Sequence, residues 1–181
     1  LEAAGRLRRG APQLWFVIPL ASERFRALVS GHVSSSAVPV RVVGEPYDAM
    51  AISEMIVTAT GTATLEAAIL AVPMVAVYRL PWLSWAIAHY VLTIRRAALP
   101  NILAGRDIVP ELLQHRMTPN AIEAEVRHLL DDRARRAQMQ TDLREVASSL
   151  GAPGAVQRAA DEVMAALGRA RVAHPSSSTI R

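Results

Sequence analysis

The stretch MIVTATGTATLEAAILAVPMVAVYR, Met55 to Arg79, decides the fold. Its β-rich start, Ile56 and Val57, leads into a small polar loop, Thr58-Ala59-Thr60-Gly61-Thr62. An apolar-periodic helix then opens between Thr62 and Thr64 and carries Glu66 in its first turn. That helix stops before Pro73, and Met74-Val75-Ala76-Val77-Tyr78 reads as the next buried strand. The order strand, loop, helix, strand presents a helix N-terminus at the C-terminal edge of a sheet. Free N–H groups and the positive end of the helix dipole face whatever sits there, which suits a phosphate. Gly61 lets the backbone come close, the Thr60 and Thr62 hydroxyls add donors, and Glu66 is placed to accept hydrogen bonds from ribose. The same residues also fit an ordinary βαβ crossover, in which the threonines cap the helix and Glu66 complements its dipole.

Working outward, residues 1–9 read as a helix ended by Gly10 and Pro12, and 14–18 as a buried strand. Residues 22–29 read as a helix, 30–37 as a linker, 38–43 as a strand and 47–53 as a brief helix. This alternation predicts an α/β fold, a doubly wound, Rossmann-like parallel sheet flanked by helices. Downstream, the uncharged run LPWLSWAIAHYVLTI at 80–94 is closed by Arg95 and Arg96. It falls short of the roughly 20 residues a transmembrane helix needs. It reads either as a buried helix or as one lying in a membrane interface, with Trp82, Trp85, Tyr90, Arg95 and Arg96 as the contact residues. Residues 107–115 read as a short helix, 118–130 as an amphipathic helix opened by Thr118-Pro119, and 131–150 as a charged helix. A break at 151–154 precedes a last helix at 155–173, and the chain from His174 onward is expected to be disordered.

At 181 residues the chain has the length of one domain, or of half a two-domain enzyme. Hydrophobic content of 51% against 20% charged excludes wholesale disorder. Without cysteine there is neither a disulfide frame nor a thiolate metal site. All 20 basic residues are arginine, which with the abundant alanine points to a GC-rich bacterial genome. The net charge of +4 is mild, yet arginine binds phosphate in a bidentate fork, so an anionic ligand or lipid headgroup fits. Aromatics at 4% are not interleaved with arginine, and no nucleic-acid partner is expected. The histidines (His32, His89, His115, His128, His174) lack metal-ligand spacing, so no metal is expected. Asp-x-Asp, Gly-x-Ser-x-Gly, Gly-x-Gly-x-x-Gly and the P-loop are all absent, and no cofactor is expected. The opening LEAAGRLRRGAP has neither signal-peptide character nor an initiator Met, so a fragment is expected. What remains is a metal-free nucleotide-diphosphate site built on helix N-termini.

Several motifs in series carry a resemblance: Thr60-Gly61-Thr62-Ala63-Thr64-Leu65-Glu66, Pro73-Met74-Val75, Tyr78-Arg79, Leu99-Pro100-Asn101-Ile102-Leu103-Ala104-Gly105-Arg106, and Pro110-Glu111-Leu112-Leu113-Gln114. Together they closely resemble the C-terminal half of the lipid-A-disaccharide synthases, inverting, metal-independent glycosyltransferases of the GT-B fold. The resemblance covers about residues 1–167, leaving 168–181 as a tail. It implies the donor-nucleotide domain of an enzyme that moves 2,3-diacylglucosamine from UDP to 2,3-diacylglucosamine 1-phosphate, giving a β-1,6-linked disaccharide phosphate and UDP. It further implies that Gly61 and Thr62 face the diphosphate, that Thr60 belongs to the same nucleotide-binding loop, that Glu66 binds ribose, and that Asn101 is a polar residue of the cleft. Arg106, Glu111 and Gln114 become binding candidates, although Arg106 and Glu111 also fit a helix-flanking ion pair and Asn101 a turn. Thr60 stands where the family usually has serine, which keeps the hydroxyl. The family's Leu-Pro-Gly-Ser-Arg loop and its N-terminal acceptor domain with the catalytic Asp are not found in these residues, so no turnover is expected of this chain alone. Acylated substrates imply a cytoplasmic enzyme peripheral to the inner membrane, and an exposed apolar face makes self-association an expectation. Two other readings remain: a different GT-B UDP-sugar enzyme, such as a cell-wall N-acetylglucosaminyltransferase or a UDP-sugar epimerase, and a non-catalytic membrane-surface domain.

Overall fold

The computed structural model describes residues 1–81, 96–152 and 154–173. The chain divides into two compact units, Leu1–Ser149 and Leu150–Arg181. In the first, chain order is α1 (Glu2–Gly10), β1 (Phe16–Pro19), a 3-10 turn (Glu23–Phe25), α2 (Arg26–Ser34), β2 (Val40–Val43), α3 (Pro46–Ala51), β3 (Ile56–Ala59), α4 (Thr62–Ile69) and β4 (Met74–Tyr78). After residue 95 come α5 (Leu99–Ala104), β5 (Glu111–Leu113), a second 3-10 turn (Gln114–Arg116), α6 (Pro119–Asp131) and α7 (Arg133–Ser149). Among its described residues the second unit holds one helix, α8 (Ala155–Ala173).

Among the described residues every strand pairing is parallel, as the alternating pattern predicts. The strands form two sheets, β1-β2 and β3-β4-β5. In the larger sheet Ile56 lies opposite Met74, and Ala76 opposite Glu111. Successive side chains of a strand point to opposite faces, and Met74, Val75 and Ala76 are all fully buried, so β4 is covered on both sides. The core gathers there: Ala67 and Ala68 of α4, Val126 and Leu129 of α6, and Met139 and Leu143 of α7.

The helix boundaries follow local chemistry. Helix α4 ends in a left-handed residue, Ala71 (φ 52°), with Val72 N–H donating to the Ala67 carbonyl and Ala71 N–H to that of Ala68. This closes off the last carbonyls before Pro73. The Thr118 hydroxyl accepts from Ala121 N–H at 3.2 Å and Pro119 fills the first helical position, so α6 starts as expected.

Two expectations need correction. Residues 107–115 are not a helix: they form an approach loop, strand β5 and a 3-10 turn. Asn101 takes up the N–H groups of Ile108 and Val109, and β4 offers an open edge on which Ala76 N–H donates to the Pro110 carbonyl at 2.9 Å. Residues 22–29 open as a 3-10 turn, in which Glu23 pairs with Arg26, and α2 then runs on through the expected linker to Ser34. Around Pro100 the chain forms helix α5, with Pro near its start and Gly105 in the left-handed region (φ 66°) at its end.

Candidate functional site

The C-terminal ends of parallel strands share one edge of a sheet, and ligands of open α/β sheets bind outside that edge. Here the edge is built from the loop after β3, the Tyr78-Arg79-Leu80 exit of β4 and the turn after β5. The β3 loop is anchored to the central strand, because Thr60 N–H donates to the Val77 carbonyl at 3.0 Å. Gly61 follows at φ 133°, ψ −157°, a region essentially restricted to glycine, with open space where a Cβ would lie. Helix α4 has no side-chain cap, so the N–H groups of Thr62 and Ala63 precede the first intrahelical bond and stay available. Thr64, fully buried, donates both its N–H (3.0 Å) and its hydroxyl (2.6 Å) to the Gly61 carbonyl. Glu66 is half-buried one turn further on, four residues from Thr62 and therefore on the same helix face.

Gln114 stands at this same edge, after β5, in the left-handed region at φ 53°. With its amide turned to satisfy both partners, it accepts from Leu80 N–H (3.0 Å) and donates to the Leu80 carbonyl (3.2 Å). The side chain thus acts as a short extra strand that ties the exit of β4 to the end of β5. Arg79, exposed, donates to the Met117 carbonyl at 3.1 Å.

Asn101 and Glu111 form a second cluster. Asn101 is 1% exposed, and its amide group makes four hydrogen bonds. Nδ2 donates to the Val109 carbonyl (2.9 Å) and to Glu111 Oε1 (2.7 Å), while Oδ1 accepts from the N–H groups of Ile108 (2.8 Å) and Val109 (2.9 Å). The Glu111 carboxylate also accepts from Ala97 and Ala98 N–H, at 2.9 Å and 3.0 Å, so it takes up the two N–H groups just ahead of α5. Both residues border a cleft of about 280 Å³ beside β5, with Arg116 and Glu125.

Arg106 makes a third group. Its guanidinium forks onto Asp142 of α7 at 2.9 Å for both bonds, with Glu145 at 3.4 Å. Asp142 is buried and also accepts from Gln138 at 2.8 Å. The Arg106 hydrogen bond holds the Asp142 carboxyl below the usual carboxylate range, against the opposing effect of burial. Thr60, Gly61, Thr62 and Glu66 therefore share one loop and helix turn, and Gln114 stands at the same edge. Asn101 with Glu111, and Arg106 with Asp142, lie in separate clusters.

Trp82, Trp85, Tyr90 and Arg95 fall outside the described residues, while Arg96 pairs with Asp107 at 2.6 Å. Among the described residues, no helix is long and apolar enough to cross a membrane. Sequence reasoning did not single out Thr64. The signal was a threonine at the third helical position, where a capping glutamate or glutamine is the common choice.

A family model described as lipid-A-disaccharide synthetase matches residues 1–166. The lipid-A-disaccharide synthase of Anaeromyxobacter sp. (strain K) is 46% identical over 166 residues, 91% of this chain and 43% of that protein. That of Myxococcus xanthus (strain DK1622) is 39% identical over 173 residues, 95% of this chain and 45% of the relative. That of Geobacter metallireducens is 35% identical over 172 residues, with 94% and 45% covered. The chain thus spans less than half the length of the curated relatives it matches.

Proposed function

Because the chain belongs to the lipid-A-disaccharide synthetase family, we propose that it forms the donor-binding part of a glycosyltransferase of lipid A synthesis. The donor is UDP-2,3-diacylglucosamine and the acceptor 2,3-diacylglucosamine 1-phosphate, and the products are the β-1,6-linked disaccharide phosphate and UDP. The observation that carries the reading is the uncapped start of α4 behind Gly61, open to solvent, with Glu66 one turn away. In it, the N–H groups of Thr62 and Ala63 receive the diphosphate, the Thr60 and Thr62 hydroxyls add donors, and Glu66 accepts from the ribose hydroxyls.

The chemistry of this part is positional and electrostatic. A diphosphate held by fixed N–H dipoles is a better leaving group, because negative charge develops on UDP as the glycosidic bond breaks and the dipoles need no reorganisation. Gln114 shapes the neighbouring strand exit, and Asn101 with Glu111 shapes the cleft beside β5. Arg106 contributes through α7, to which it is tied. Deprotonation of the acceptor hydroxyl is assigned to a general base outside these 181 residues. Residues 1–167 form the nucleotide-sugar domain of this reading.

The test is an amide NMR titration of the chain with UDP, and with ADP and NAD as controls. Shifts selective for UDP at Thr60 to Glu66 are expected. A dispersed spectrum with equal responses to all three ligands, or none to UDP, would sink the assignment.

In this reading the acylated substrates support a cytoplasmic enzyme peripheral to the inner membrane, with residues 81–96 as the contact and self-association through apolar surface. Anionic vesicles should lose the protein after Trp82→Ser with Trp85→Ser, and unchanged vesicle binding would refute that contact. Concentration-independent sedimentation as a monomer would refute self-association.

A further inference from the structure

We propose that Thr64 is a positioning residue, whose hydroxyl aims the diphosphate-facing N–H of Thr62; the inference rests on the donor-site reading above. The starting observation is a hydroxyl where packing alone calls for none. Thr64 is fully buried on α4, alongside Ala67 and Ala68, which are also fully buried. Valine has nearly the same shape and would lose no hydrogen bond to water there. The hydroxyl is nevertheless present, and among the described residues its one hydrogen-bond partner is the Gly61 carbonyl at 2.6 Å.

That carbonyl belongs to the peptide joining Gly61 to Thr62. A trans peptide is planar, with its C=O and the following N–H pointing in opposite directions. Holding the Gly61 oxygen down toward Thr64, by the hydroxyl and by the Thr64 N–H at 3.0 Å, therefore turns the Thr62 N–H outward, away from the helix. The usual capping arrangement works the other way, with a side chain at the cap consuming the N–H groups of the first turn. Here the cap residue is Gly61, which has no side chain, and the tie runs from the third helical position back to a carbonyl. The N–H groups of Thr62 and Ala63 are left open, and that of Thr62 is given a fixed direction. Gly61 at φ 133° has backbone freedom that a side chain would remove, so the peptide needs such a tie to hold one orientation.

The experiment compares Thr64→Ser with Thr64→Ala in the full chain, by UDP titration and by the Thr62 amide signal without ligand. Both variants lose the same methyl group, so lost packing is common to them and the hydroxyl is what differs. The serine variant should keep UDP affinity within about twofold and leave the Thr62 amide in place. The alanine variant should lose about tenfold, which corresponds to about 1.4 kcal/mol, and shift that amide. Thr64→Val should behave as the alanine variant does, since a methyl cannot sit 2.6 Å from a carbonyl oxygen and must push it away. Alanine and serine variants with equal affinity and equal Thr62 signals would overturn the positioning role while leaving the donor site intact. Failure of the unsubstituted chain to bind UDP selectively would instead overturn the donor reading, and this inference with it.

Discussion

Replacing Asn101 by aspartate changes one NH2 group into an oxygen at constant shape, and the surroundings set the cost in stability. The oxygen that accepts from Ile108 and Val109 N–H is kept. The other atom now faces the Val109 carbonyl at 2.9 Å and the Glu111 carboxylate at 2.7 Å, so two donated bonds become contacts between acceptors. Their loss costs about 1 kcal/mol for the neutral bond and about 1.5–3 for the one to the carboxylate, before any repulsion is counted. The two carboxylates can avoid the clash by binding one proton between them. Protonating a carboxyl of ordinary pKa near 4 costs about 1.4 kcal/mol per pH unit, or about 4 kcal/mol at pH 7, and this caps the repulsive part. The native state of Asn101→Asp then binds more protons than its unfolded state, so its stability falls as pH rises from about 4 toward neutrality. Urea unfolding followed by circular dichroism at pH 5 and pH 8 reads this directly. The expected loss relative to the unsubstituted chain is about 3–5 kcal/mol at pH 8 and clearly less at pH 5. A variant within 1 kcal/mol of its parent at pH 8, with no added pH dependence, would refute the network as the reason for that asparagine.

Two further outcomes test other parts of the structure. Gly61→Ala meets no atom within 4 Å, so its cost is backbone conformation alone, about 1–3 kcal/mol, read as a lower urea midpoint or, if the loop relaxes, as weakened UDP binding. An alanine variant unchanged in both would show that φ 133° is not required. For Asp142, whose carboxyl titrates lower in the folded chain because of Arg106, the stabilisation is present above the ordinary carboxylate pKa of about 3.9 and is lost as pH falls through the lower folded value. Asp142→Asn should therefore cost about 1 kcal/mol at pH 7, a small figure because Arg106 is half exposed, and that deficit should vanish in acid. A deficit that persists unchanged to pH 3 would mean that the pair is not its source.

The β3-α4-β4 unit was legible because its signals are local: an apolar strand, a Gly-Thr loop, helical spacing and Pro73 all lie within 25 residues. The start of α6 was legible for the same reason, in Thr118-Pro119. Strand β5 was not. Ile108, Val109, Leu112 and Leu113 repeat at helical spacing, and what overrides it is the open edge of β4, a partner more than 30 residues upstream. Asn101 and Arg106 show the same limit. Asn101 follows a proline and reads as a turn or cleft residue, yet its hydrogen bonds go to residues seven to ten places ahead. Arg106 closes the Leu99-to-Arg106 motif that carries the family resemblance, and its partner is 36 residues away on α7. The direction of a polar side chain depends on tertiary neighbours that no local window contains.

The tie between Thr60 N–H and the Val77 carbonyl has a thermodynamic consequence. Strand β4 has partners on both sides and is covered on both faces, so its amides should be among the slowest in the chain to exchange with solvent. The α4 loop grows from the neighbouring strand and is fastened to this slow-exchanging element. Its conformational entropy is therefore lost when the chain folds, and little remains to be lost when an anion arrives. Binding there should show a small entropic penalty and leave the exchange rates of β4 almost unchanged. In this chain, a strand paired on both sides and buried on both faces holds the loop proposed to meet the ligand.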